Sequence, residues 1–154
     1  MVLRLVGSEM CIRDRLNAIA EWIHTHDQSE HDFIILGDMN IEDAEELAQA
    51  TPPGFLSLND ECRPTNTNVN GPKPYDHVMF STTHTTEIDR SYDMHIVNLL
   101  DEMRDDWTST EPYPGQPYDH NEFRKFFSDH HPIDFRLTIP SEDDDAPVRI
   151  ATGE

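Results

Sequence analysis

Basic side chains are scarce in this sequence. Its 154 residues include 11 lysines and arginines against 31 aspartates and glutamates, so the formal net charge is −20. An electrostatic field of this sign repels polyanions and argues against nonspecific binding of nucleic acid. A phosphodiester substrate is still compatible with it, because bound cations can reverse the local field at a site.

Cysteines and long apolar runs are also rare. Cys11 and Cys62 cannot build a disulfide framework, and no Cys/His spacing suggests a zinc site. No apolar run reaches the length of a membrane span, so we expect a soluble chain. Secretion and a cytoplasmic location are both compatible with the sequence, and no protein partner is predicted. The length and the 36% hydrophobic content indicate one domain or part of one.

The two ends of the chain differ from its middle. Residues 1–15 show no helical or strand period and lack the apolar centre and cleavage site of a signal peptide. They resemble a translated adapter from sequencing-library preparation, so we predict a non-native segment; the alternative is an ordinary exposed terminus. Residues 140–154 are acidic and interrupted by proline, and we expect them to be disordered. The domain is therefore assigned to residues 16–139.

Apolar periodicity predicts the secondary structure of this domain. Apolar residues recur at helical spacing from Leu16 to Ile23, which predicts an amphipathic helix. Residues 33–36 are an apolar run too short for a helix, which predicts a buried strand. Further elements are predicted as strands at 55–58, 73–80, 92–97 and 133–139 and as helices at 41–50 and 97–107. A second Tyr-Asp-His, at 118–120, is predicted to lie on a loop.

Polar side chains cluster at three predicted strand ends. The clusters are Asp38 with Asn40, Tyr75-Asp76-His77, and Ser128-Asp129-His130. The first cluster has an alternative interpretation as an Asx turn, in which both side chains only cap backbone groups. The Thr/Asn-rich segment 63–71 could contact phosphate or a cation, or could form turns, and we favour turns.

Together and in this order, these motifs resemble the endonuclease/exonuclease/phosphatase superfamily, which includes deoxyribonuclease I. The matches are Gly37-Asp38-Met39-Asn40 for Gly-Asp-Phe-Asn, Tyr75-Asp76-His77 for Tyr-Asp-Arg/His, and Ser128-Asp129-His130-His131-Pro132 for Ser-Asp-His-x-Pro. The resemblance covers residues 16–139 and corresponds to the carboxyl-terminal half of the family's domain. It implies an α+β chain that forms part of a four-layer α/β/β/α sandwich with its amino-terminal half missing.

The resemblance also implies roles for four catalytic residues. His130 would contact the scissile phosphate and transfer protons, as suits an imidazole that titrates near neutrality. Asp76 would hold that imidazole by accepting its other ring proton. Asp38 would orient or deprotonate the attacking water. Asn40 would donate a hydrogen bond to the phosphate.

Further ligand contacts follow from the same resemblance. Asp129 would help to bind Mg²⁺, with Mn²⁺ as an alternative, because both ions take oxygen ligands. Thr65 and Asn66 are candidate substrate-binding residues by likeness to deoxyribonuclease I. No role is assigned to His77, which replaces an arginine of some relatives, and His131 is expected to face away from the site.

The predicted function is a magnesium-dependent phosphodiesterase, with DNA preferred as the substrate. The alternatives are a phosphatase acting on small phosphate esters or phosphoinositides, and a non-catalytic binding module of the same fold. The family's metal-binding glutamate and first-strand asparagine are not found, so we expect a truncated chain that is inactive alone. A basic strip built from four residues would favour DNA, and its absence would favour a small substrate: Arg63, Lys73, Arg124 and Lys125.

Overall fold

The chain is α+β, with four helices and two small antiparallel sheets among the residues that the computed structural model describes, 10–26 and 32–139. The helices are α1 (Met10–His26), α2 (Ala44–Ala50), α3 (Leu99–Asp105) and α4 (His120–Phe126). The strands are β1 (Ile34–Asp38), β2 (Phe55–Ser57), β3 (Asp76–Ser81), β4 (His95–Ile96) and β5 (Ile133–Asp134). The acidic segment 140–154 lies outside the described residues, so its predicted disorder stays a prediction.

The larger sheet has β3 at its centre, in the order β1–β3–β2. Ile34 pairs with Phe80 and Asp38 with Asp76, so the end of β1 lies beside the start of β3. All six residues of β3 are buried, as expected of a strand covered on both faces. The register therefore places two of the predicted site carboxylates on neighbouring strands.

The two faces of this sheet bury separate apolar clusters. On one face, Met79 and Phe55 pack with side chains of α1 and α2, including Leu16 and Leu47. On the other face, side chains of β3 pack with partly buried residues of the β4–β5 sheet, which include Ile133. Helices α1 and α2, the larger sheet and the smaller sheet thus stack in that order. The fourth layer implied by the resemblance goes beyond what the described residues show.

Several elements differ from their predicted bounds. Helix α1 begins at Met10, before the predicted start at Leu16, and Ile12 packs against the first apolar cluster. The predicted strand 133–139 is regular only over β5, followed by an isolated bridge between Leu137 and Ile88. Within the described ranges, no helix combines the length and apolar character needed to cross a membrane.

Helix α4 was not predicted, and the loop prediction for 118–120 is wrong at His120, the first residue of α4. The Asp119 side chain accepts hydrogen bonds from the backbone N–H groups of Asn121 and Glu122. An aspartate in this position satisfies donors that the first helical turn leaves unpaired. The helix therefore depends on a cap that apolar periodicity does not detect.

Replacing Asp119 with alanine is expected to lower the free energy of unfolding by about 1 kcal/mol, because an N-cap side chain is lost. Urea denaturation measures the change. Asp106→Ala is the matched control, since Asp106 lies at the carboxyl end of α3, where a negative charge does not stabilise the helix. An equal loss of stability in both variants would contradict the capping explanation.

Candidate active site

Two strand ends and one loop bring Asp38, Asp76 and His130 together. Asp38 ends β1 and Asp76 begins β3, and the two residues are paired across the sheet. His130 lies in the segment that precedes β5. Its backbone forms an isolated antiparallel β-bridge with that of Asn66. Its Nδ1 is 2.7 Å from Oδ2 of Asp76, and its Nε2 is 3.7 Å from Oδ2 of Asp38. One imidazole is thus flanked by two carboxylates.

The carboxylates favour the protonated form of this imidazole. The hydrogen bond that Nδ1–H donates to Asp76 is the largest cause of a raised pKa for His130, and burial opposes it. The charges of Asp76, Asp38 and Asp129 raise the pKa further. Because Nδ1 is held by Asp76, the ring presents Nε2 towards Asp38. Such a group can donate a proton or a charged hydrogen bond.

The turn after β1 is the Asx turn that the alternative interpretation of Asp38 and Asn40 expects. The backbone N–H of Asn40 donates to Oδ1 of Asp38 at 2.9 Å, so the Asx turn is present. The other carboxylate oxygen, Oδ2, faces His130. Asn40 has a left-handed φ of 50°, a conformation that asparagine adopts more readily than most residues. Its side chain is exposed.

Thr65 and Asn66 support the site from inside the protein. Thr65 is fully buried, and its hydroxyl accepts the backbone N–H of Asp76 at 2.9 Å. The Asn66 side chain accepts from the backbone N–H of Lys73 and donates to the carbonyl of Gly71. These bonds agree with the turn interpretation of the segment. Both side chains are engaged with the backbone, and a contact of either with substrate stays a prediction.

Thr67 holds the backbone of the third motif, a role that the sequence pattern did not reveal. Its N–H donates to the carbonyl of Asp129 at 2.8 Å, and its hydroxyl donates to the carbonyl of Ser128 at 3.2 Å. Thr67 is fully buried. The threonines at 65 and 67 both contribute hydrogen bonds to this scaffold, and no pattern in the sequence marks them for it.

His131 is turned away from the site, as predicted. Its Nδ1 accepts the backbone N–H of Leu99 at the start of α3, at 3.0 Å. Burial lowers the pKa of His131, and the neighbouring charge of His130 lowers it further. A neutral imidazole is required for this acceptor role. His131 therefore anchors α3.

His77 is also directed into the protein. It is fully buried, and its Nδ1 is 2.9 Å from the hydroxyl oxygen of Ser57. Burial lowers its pKa to about 4, although the nearby carbonyl of Pro74 and the charge of Asp76 act in the opposite direction. Among the described residues, none bonds Nε2 with adequate geometry. His77 thus takes no part in the site.

The predicted metal ligand, Asp129, has an exposed side chain beside His130. The carboxylates of Asp38 and Asp76 already face the imidazole. In residues 10–26 and 32–139, no three acidic, histidine or cysteine side chains converge as a metal-binding group.

Most of the predicted basic strip is neutralised locally. Lys73 pairs with Glu42 at 2.6 Å and Arg63 with Asp93 at 2.8 Å. Lys125 pairs with a neighbouring acid on α4. Three of the four candidate bases thus have carboxylate partners, which reduces the positive potential that they can offer to a polyanion.

Comparison of the sequence with known proteins identifies no family. No protein-family model matches the chain. No curated protein matches it at a significant level. The functional assignment therefore depends on the geometry of the site.

Proposed function

We propose that the chain carries the Asp38–Asp76–His130 portion of a metal-dependent phosphodiester hydrolase, similar to the endonuclease/exonuclease/phosphatase superfamily. The observation that supports this proposal is the imidazole of His130 between two carboxylates, assembled from three motifs far apart in sequence. In this proposal, the stacked helices and two sheets are part of a four-layer sandwich.

The geometry suits hydrolysis at phosphorus. Asp76 holds the imidazole of His130 in its charged form, and Nε2 donates to a phosphoryl or leaving oxygen. The carboxylate of Asp38, on the Nε2 side of the imidazole, accepts a hydrogen bond from the attacking water. The exposed amide of Asn40 donates to the phosphate. Asp129 remains the candidate ligand of Mg²⁺ or Mn²⁺, since its carboxylate is the hard oxygen donor that these ions prefer.

A titration of residues 1–154 with bis-p-nitrophenyl phosphate, with and without Mg²⁺, tests this proposal. We expect saturable changes in the imidazole NMR signals of His130 and none in those of His95, which also pairs with a carboxylate. Any release of p-nitrophenolate should be lost in His130→Ala. Absence of binding, binding that leaves His130 unperturbed, or turnover retained by the variant would contradict the proposal.

A small phosphate ester is the second candidate substrate, because three of the four bases whose basic strip would favour DNA are ion-paired. The same NMR signals can compare inorganic phosphate with a short DNA duplex at several salt concentrations. For a small-ester enzyme we expect phosphate to bind at His130 and the duplex not to bind. Duplex binding that weakens steeply with salt would instead favour an endonuclease.

A further inference from the structure

The segment that carries His130 is fastened to the rest of the protein from two sides. On one side, Thr67 donates its backbone N–H to the carbonyl of Asp129 at 2.8 Å. On the same side, the backbone N–H of His131 donates to the carbonyl of Thr65 at 2.7 Å. Both partners are threonines of one short stretch, so these bonds hold the segment along a single edge.

The residues that follow β4 hold the segment from the other side. Val97 donates its backbone N–H to the carbonyl of Pro132 at 2.9 Å. Leu99 donates its backbone N–H to Nδ1 of His131 at 3.0 Å, across a separation of 32 residues in the sequence. This second bond uses a side chain of the third motif. A substitution of His131 can therefore remove it and leave the backbone bonds in place.

The first turn of α3 has two side-chain supports. The side chain of Asn98 accepts the backbone N–H of Leu100 at 3.2 Å, and the His131 ring accepts that of Leu99. Both N–H groups are among those that a helix leaves without intrahelical partners at its beginning. Because Asn98 still caps the helix when His131 is replaced, the effect of that replacement on the site can be separated from the loss of the helix.

The two adjacent histidines are directed to opposite faces of the chain, as neighbouring side chains of an extended segment are. The His130 ring reaches Asp76 on one face, with Nδ1 at 2.7 Å from Oδ2. The His131 ring reaches the start of α3 on the other face. A rotation of the backbone that displaced one ring would displace the other. The bond to Leu99 therefore opposes any rotation that would move the His130 ring away from Asp76.

We propose that His131 is a positioning residue of the site, whose bond to the backbone N–H of Leu99 keeps the His130 imidazole aligned between its two carboxylates. This inference rests on the proposed function. His131 does not touch the substrate and acts through His130. Its support matters because a donor that is displaced by a fraction of an ångström loses much of its contact with a bound ligand.

His131→Phe removes the acceptor and keeps a planar ring, whereas His131→Asn keeps an acceptor oxygen on a shorter side chain. In His131→Phe we expect faster exchange with water of the Nδ1–H proton that His130 donates to Asp76. We also expect the binding of inorganic phosphate to weaken by about 3- to 10-fold, which is the contribution of one hydrogen bond. His131→Asn should recover most of both losses. NMR of the imidazole protons and calorimetric titration with phosphate measure the two quantities.

Asn98→Ala is the matched control, since it removes the other side-chain support of the same helical turn. Both Asn98→Ala and His131→Phe should lower the free energy of unfolding, but only His131→Phe should alter proton exchange at His130 and phosphate affinity. Equal effects of the two variants on the site, no effect of His131→Phe, or no recovery in His131→Asn would overturn the role of His131 alone. Absence of His130-dependent phosphate binding in the unmodified chain would overturn the proposed function and this inference together.

Discussion

Replacing Asp76 with asparagine is expected to lower the pKa of His130 and to weaken phosphate binding at pH 7 by about 10- to 100-fold. The hydrogen bond between Asp76 and Nδ1 of His130 is the largest cause of the raised pKa. Without the carboxylate, burial favours the neutral imidazole. A neutral imidazole donates a weaker hydrogen bond to phosphate than a charged imidazole does. The expected loss of binding free energy is roughly 1.5–3 kcal/mol. An NMR pH titration and calorimetry measure the two effects.

Asp134→Asn is the matched control for this prediction. Asp134 pairs with His95 at 2.9 Å in the smaller sheet, so the variant removes the same charge from another histidine–carboxylate pair. The pKa of His130 and the phosphate affinity should stay unchanged. Equal effects in both variants would show that the overall negative charge, rather than the contact with Asp76, controls His130.

The same pair has a consequence for stability. The folded pKa of His130 lies above its unfolded value, so its contribution to stability is complete below about pH 6.5. That contribution is lost as pH rises through the folded pKa. The destabilisation caused by Asp76→Asn should therefore be larger at pH 6 than at pH 9. Urea denaturation at the two pH values measures it.

The sequence predicted the members of the site better than their arrangement. Asp38, Asp76 and His130 were identified from short motifs next to apolar runs, and the structure places their side chains together. The pairing of β1 with β3 was not predicted, because the register between strands depends on tertiary contacts. The supporting hydrogen bonds of Thr65 and Thr67 could not be predicted for the same reason.

The alternating pattern of residues 133–139 shows another limit. Ile133 and Phe135 pack against the second apolar cluster, as the alternation indicates. Leu137 and Ile139 continue the pattern but are 50% and 96% exposed. Apolar alternation reports which face a strand can bury, whereas the length of the strand depends on neighbours that cover and pair with it.

The second prediction of large effect concerns His77: its ionisation is expected to remove roughly 3 kcal/mol of stability between pH 6.5 and pH 4. Burial lowers the folded pKa to about 4, against about 6.5 in an unfolded chain. The unfolded chain therefore binds more protons within this window, and the free energy of unfolding falls as the pH falls. Well above pH 6.5 both states are neutral at His77, so this contribution is constant.

The structure explains why the charged form of His77 is unfavourable. The imidazole is fully buried in β3 beside the Ser57 hydroxyl, and Nε2 lacks a well-aligned acceptor among the described residues. Protonation would place a second N–H donor and a positive charge in an apolar layer. Asp76 is adjacent in sequence, but its carboxylate is committed to His130 and offsets only part of this cost.

His77→Gln separates this effect from the titration of the many carboxylates. The variant is expected to be less stable than the unmodified chain at pH 7, because the packing of the ring is lost. That difference should shrink by roughly 3 kcal/mol at pH 4, where the unmodified chain alone carries the cost of a buried imidazolium. Urea denaturation from pH 7 to pH 4 measures the two curves.

His24→Gln is the control, since His24 is an exposed residue of α1. This variant makes the same replacement at an exposed position, so it should not reproduce the convergence expected of His77→Gln. The free energy of unfolding of His77→Gln could instead run parallel to that of the unmodified chain from pH 7 to pH 4. In that case burial does not suppress the protonation of His77. Convergence of the His77→Gln curve alone would identify this buried imidazole as a major source of acid sensitivity that is independent of His130 and the site.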